Sequence, residues 1–198
     1  GCWEKRFEYK AFIPSHINQQ WEISDPELTT RLEKAATGLS TINAFAKIVP
    51  DINFFIQMHV VKEAESSARI EGTNTKIEEA LLPENQIPAE RRNDWREVNN
   101  YIIAMNQAIE RLPALPLSLR LLKETHEQLL QGVRGQDKFP GEFRTSQNWI
   151  GGSSPANAFF VPPPPETVSG LMGDLESFWH NDEIKVPHLI RCAISHYQ

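Results

Sequence analysis

Four consecutive prolines, at 162–165, set the hardest limit on how this chain can fold. Proline has no amide hydrogen to give to a helix or a sheet ladder, and its ring fixes φ near −65°. A helix can start inside such a run but cannot cross it, and a strand that reaches it can pair no further. The residues just before it are also the least helical in pattern. "FRTSQNWIGGSSPANAFFVPPPPETV" (143–168) holds two β-prone pieces, 147–150 and 158–161, around a Gly/Ser/Pro/Asn turn region. This predicts a hairpin with a loop longer than the tightest kind, closed by the prolines.

Outside that island the apolar residues recur at helical spacing. Residues 1–24 are mixed and contain Pro14, which reads as an extended lead-in. Ser24 and Asp25 before Pro26 signal a helix start, with Leu28, Leu32, Ala35 and Ala36 following on one face. A second helix is expected over 52–71, carrying Phe55, Met58, Val61 and Ala68. A short one follows Asn74, where Thr75 and Glu78 have capping-box spacing. Beyond a loop at 83–88, residues 89–112 carry Trp95, Val98, Ile102, Met105 and Ile109 on one face. Ser118 caps the next helix, which bears Leu119, Leu122, Leu129 and Leu130 and stops at Gly132. Residues 166–180 place Val168, Leu171, Leu175 and Phe178 inward. Pro187 opens a last helix with Leu189, Ile190, Ala193, Ile194 and Tyr197 on its apolar face. The expected fold is mainly α, a helical bundle with one β-hairpin. The last helix stays apolar up to Gln198 without a capping residue, so more chain is expected to follow.

Charge narrows the function classes. The 198 residues carry a net charge of −6, and no basic cluster is longer than Arg91-Arg92. Nucleic acid and anionic membrane surfaces are therefore not the expected partners of this region. No apolar run approaches the roughly 20 residues that span a bilayer. Cys2 and Cys192 make no framework and have no CxxC spacing, which fits a reducing, cytoplasmic location.

No catalytic centre is legible in the residue types. Among the histidines, His126 sits beside Glu124 and Glu127 but lacks a second histidine four positions away. His188 and His196 are eight apart, the spacing of a packed or surface helix. Cys192 has no base arranged around it. Phosphate-cradling glycine loops and nucleophile elbows do not occur. One stretch stands out instead: "ESSARIEGTNT", 65–75. Gly72 suits the left-handed residue that ends a helix, yet Glu71 is the wrong charge for that end of the helix dipole. Ser67, one turn back on the same face, can donate its hydroxyl proton to the Glu71 carboxylate. The stretch reads either as an ordinary helix stop or as a carboxylate offered to a partner outside the helix.

In this order and at these spacings, three features resemble the Fic-domain family across most of the chain. Residues 67–72, "SARIEG", fit the family's inhibitory-helix pattern [S/T]-x-x-x-E-[G/N]. "PGEFRTSQNWIGG" (140–152) through "FFVPPPPETV" (159–168) is similar to the family's flap. "VPHLIRCAISHYQ" (186–198) looks like the helix that leads into the signature H-P-F-x-D-G-N-G-R.

The resemblance implies a protein adenylyltransferase, which uses ATP and Mg²⁺ to move AMP onto a Ser, Thr or Tyr hydroxyl of a target protein. It implies that Ser67, Glu71 and Gly72 form the inhibitory element beside the ATP site. Trp149, Ile150, Phe159, Phe160 and Val161 would form the target-docking flap. The implied division is a helical region over 1–115 and the first part of a Fic domain over 116–198. The signature, with its base, metal ligand and phosphate nest, does not occur in these 198 residues, so this chain alone is expected to be inactive and to hold no catalytic or metal-binding residue. A homo-oligomer is left open. The rival reading is a stand-alone, antitoxin-like inhibitor that presents Glu71 in trans to another Fic protein.

Overall fold

Helices start where their caps predict them. A computed structural model describes residues 1–70 and 72–198. Helix α1, Pro26–Ala46, begins with proline in its first turn, and the Asp25 side chain accepts from the amides of Glu27 and Leu28. Helix α2 spans Ile52–Ile70, and the four-residue α3 spans Ile77–Ala80. Helix α4 is Arg92–Arg111, after a 3-10 turn at Ala89–Arg91. Helix α5, Leu119–Leu129, is capped by Ser118, whose Oγ accepts from the Leu121 amide at 3.3 Å. Helices α6, Pro165–His180, and α7, His188–Tyr197, follow their prolines. The capping box expected of Thr75 and Glu78 lies one residue later: the Glu79 carboxylate accepts from the Lys76 amide. The fold is mainly α, as expected. No helix among the described residues is long and apolar enough to cross a membrane.

The described residues form two compact units, 1–24 with 142–198, and 25–141. In the second unit, α2, α3 and α4 meet around Val61, Ala64, Ala80 and Val98, with Tyr101 and Ile102 packed at the edge. Trp95 fixes the short α3 by donating its indole N–H to the Glu79 and Leu82 carbonyls. Several expected faces shift here. Helix α5, which packs on α4, buries Leu121, while Leu122 stays exposed. Helix α1 buries none of its residues; of its expected face Leu28, Ala35 and Ala36 are exposed and Leu32 is half-buried.

In the first unit the core is Ile17, Leu175, Phe178 and Ile184, with Trp21, Trp179 and Ile194 against it. Leu171, Leu175 and Phe178 of α6 point inward as their spacing predicts. Arg191 of α7 closes the end of α6: its guanidinium donates to the Phe178, Asn181 and Ile184 carbonyls and lies over the Phe178 ring. Helix ends leave carbonyls without partners, and a cation there also suits the dipole. The α7 apolar face is only partly covered, with Leu189 and Tyr197 exposed.

The N-terminal lead-in is not simply extended. Strands β1, Cys2–Lys5, and β2, Lys10–Ile13, pair antiparallel in the register Cys2↔Ile13, Trp3↔Phe12, Glu4↔Ala11 and Lys5↔Lys10. Asp174 on α6 anchors the segment beyond it, accepting from the Ile17 amide at 2.6 Å and the Asn18 amide at 3.2 Å, with His16 alongside at 3.2 Å. The hairpin expected over 147–161 is reduced to a single antiparallel bridge, Ile150↔Phe160. Gly151 and Gly152 both take positive φ and turn the chain away directly after Ile150, while Pro162 stops pairing on the other strand.

Candidate functional site

Within the first unit the flap joins a larger layer. The Phe12 amide of β2 donates to the Val161 carbonyl at 2.9 Å, and the Ile150 amide donates to the Phe160 carbonyl at 2.8 Å. The order across the layer is therefore β1, β2, the 160–161 segment and Ile150. Trp3, Phe12 and Phe160 share one face as an aromatic cluster, with ring centroids 5.5 to 6.2 Å apart. The two edge-on contacts, Trp3 with Phe12 and Trp3 with Phe160, add about 0.5–1.5 kcal/mol per pair to the burial itself. The base of the flap is held by Gln147, which donates to the Pro162 carbonyl at 3.0 Å, and by Arg144, which donates to the Ser146 and Pro163 carbonyls. Burial pulls the Arg144 guanidinium below its ordinary value and Glu166 opposes that shift; an arginine keeps its charge throughout.

The five flap residues thus divide. Val161 is 3 % exposed and Phe160 is half-buried in the aromatic cluster, so both side chains face their own unit. The N-terminal hairpin packs against these two, so most of the flap's open apolar surface is carried by the other three. Trp149, Ile150 and Phe159 are exposed, Phe159 to 91 %. The flap loop is ordered from inside: the Asn157 side chain accepts from the Ser153 and Ser154 amides at 3.0 and 2.9 Å. What remains is a stiff loop with three outward apolar side chains and a short paired edge at Ile150.

The inhibitory pattern lies in the second unit. Glu71 falls outside the described residues. Around it, the Thr73 amide donates to the Ala68 carbonyl at 3.0 Å and the Gly72 amide to the Arg69 carbonyl at 3.1 Å, with Gly72 at φ 88°. This is the Schellman arrangement, and it needs a residue that tolerates the left-handed region. Ser67 has a partner on its own helix. Its hydroxyl has one proton, and that proton goes back a turn to Glu63 Oε1 at 2.8 Å. Beside the helix end, a cavity of about 450 Å³ is lined by Ser67, Thr73, Glu97, Tyr101 and Arg134 among others. There Glu97 Oε2 accepts from the buried Thr73 hydroxyl at 2.6 Å and from Arg134 at 3.1 Å. Residue-type spacing gave no signal for that trio, since its members lie far apart in sequence.

His16, His59 and His126 each have a partner of their own, Asp174, the Phe55 carbonyl and the Gly141 amide. His126 Nδ1 accepts from the Gly141 amide at 2.9 Å, which places its proton on Nε2. Among the described residues no three His, Cys, Asp or Glu side chains gather where a metal could sit.

Set against known proteins, residues 29–110 match the model of the Fic/DOC family N-terminal region, and residues 116–198 match the model of the Fic/DOC family. No curated protein matches the chain.

Proposed function

Because this chain belongs to the Fic/DOC family, we propose that it is the regulatory and target-docking part of a protein adenylyltransferase, which moves AMP from ATP to a Ser, Thr or Tyr hydroxyl of a target protein. One observation carries the docking role: Trp149, Ile150 and Phe159 are exposed on a loop that is otherwise internally tied. An extended target segment adds to such an edge through main-chain hydrogen bonds, which tolerate many side chains. Phosphoryl-type transfer depends mostly on positioning, so holding the target hydroxyl in register is a direct contribution to rate. Ser67, Glu71 and Gly72 form the regulatory end in this reading, with the Gly72 and Thr73 amides bonded to the Arg69 and Ala68 carbonyls beside it. ATP and Mg²⁺ are the implied cofactors. In this reading the residues of this chain dock the target and regulate.

The test uses the product of the gene's full open reading frame with radiolabelled ATP and candidate targets. Glu71→Gly raises labelling about tenfold or more, the effect of removing roughly 1.4 kcal/mol or more of competing interaction. Ile150→Asp abolishes target labelling and leaves ATP affinity unchanged. Equal labelling by wild type and Glu71→Gly overturns the regulatory role, and ATP affinity falling with activity in Ile150→Asp overturns the docking role. Were the trans-acting inhibitor the correct reading, the 198-residue chain would instead suppress labelling by a separate Fic enzyme.

A further inference from the structure

The N-terminal hairpin and the flap loop enclose a groove between them, about 350 Å³ in volume, whose walls include Trp3, Tyr9 and Lys10 on one side and Pro155, Ala158 and Phe159 on the other. Trp3 and Phe159 are both more than half exposed, so the aromatic surface is open to a partner. The groove is continuous with the flap, because the Phe159 amide donates to the Ile150 carbonyl at 2.8 Å. Its charge is equally specific. Lys5 and Lys10 sit directly opposite each other in the β1–β2 register, on the same face as Trp3 and Phe12. Like charges in that position repel. Among the described residues neither lysine has a carboxylate partner; the nearby Glu4 is on the other face and is engaged by Arg6, which also takes Glu166. An aromatic slot beside an unrelieved pair of cations is complementary to an aromatic side chain next to an acidic one.

We propose that this groove is the specificity pocket of the docking site, taking one aromatic side chain of the target segment while a neighbouring Asp or Glu meets Lys5 and Lys10. The inference rests on the docking reading above and adds to it a target chemistry. Main-chain pairing at Ile150 supplies register, and the groove supplies selection among segments.

The 198-residue chain can be tested directly with fluorescein-labelled ten-residue peptides of Thr and Val. One carries a central Phe followed by two Asp, a second has Ala for the Phe, and a third has Lys for both Asp. Anisotropy is expected to give tightest binding for the Phe-Asp peptide, with a loss of at least about tenfold for each of the other two. Lys5→Glu/Lys10→Glu, two exposed positions whose folding is checked by circular dichroism, is expected to reverse the preference toward the Lys peptide. Phe159→Ala is expected to remove the advantage of Phe over Ala. If all three peptides bind alike and all lose binding in Ile150→Asp, the pocket is overturned while the docking edge stands. If the Phe-Asp preference survives in full in Ile150→Asp, the docking reading fails instead. Absence of binding by any peptide to the wild-type chain at millimolar concentration also overturns the pocket.

Discussion

The β1–β2 hairpin forms four cross-strand pairs around a loop, 6–9, that contains no glycine, proline or asparagine, whereas the flap has two glycines, a proline and an asparagine in its loop and forms one bridge. Turn-favouring residues therefore do not measure how much ladder will form. In the N-terminal hairpin the aromatic pair Trp3↔Phe12 and the buried Ala11 reward every added pair. In the flap the backbone turns at Gly151 and stops at Pro162, so pairing has no room to grow. The flap obtains its order through Asn157 and through the layer it borrows from β2. That leaves its outer edge and three apolar side chains unused by the fold, which is the condition a docking element needs.

The comparison breaks first at Val161, the residue both regions share. Val161→Asp places a carboxylate without a partner in the core and is expected to cost about 3–5 kcal/mol, seen as a large drop in melting temperature. Phe12→Ala removes two of the three ring contacts from a half-buried site and should cost about 2 kcal/mol, with the flap amides of Ile150 and Phe160 exchanging faster than in wild type. Unchanged exchange there would mean that the flap does not lean on the hairpin. Gly152→Ala comes next. Its φ is 68°, and an added Cβ would stand 2.4 Å from the Asn157 carbonyl oxygen, so the loop must move. The expected cost is about 1–2 kcal/mol, localised to the Ser153 and Ser154 amides. Ile150→Asp is the smallest: its side chain is 61 % exposed, and stability should stay within about 0.5 kcal/mol of wild type.

Much of this was legible in the residues because it is local. Asp25 with Pro26, Ser118, Gly72 and the α6 face of Leu171, Leu175 and Phe178 all act within one or two helical turns. What could not be read depends on partners far along the chain. Nothing in residues 1–13 announces a hairpin, since its loop lacks turn signals and its aromatic face is completed by Phe160. The α1 pattern is helical, yet whether Leu28 is covered depends on what lies opposite, and among the described residues it stays exposed. At the candidate site, the stretches 67–72 and 140–168 stood out as sequence. The withdrawal of Phe160 and Val161 into the layer, and the Ser67 bond to Glu63, did not, because each reflects competition between neighbours that spacing leaves equal.

The bond from the Phe12 amide to the Val161 carbonyl ties together two segments that leave the ribosome at very different times. The 25–141 unit is continuous and has its whole core available once Gly141 has emerged. The β1–β2 hairpin has no such option: a lone two-stranded hairpin is marginal in water, and the surface it needs is synthesised more than a hundred residues later. Closing so long a chain segment is slow and entropically costly compared with forming local helices. Trp3 and Phe12 therefore remain uncovered during translation until the flap arrives, and the hairpin and flap are acquired together, after the helices between them have formed.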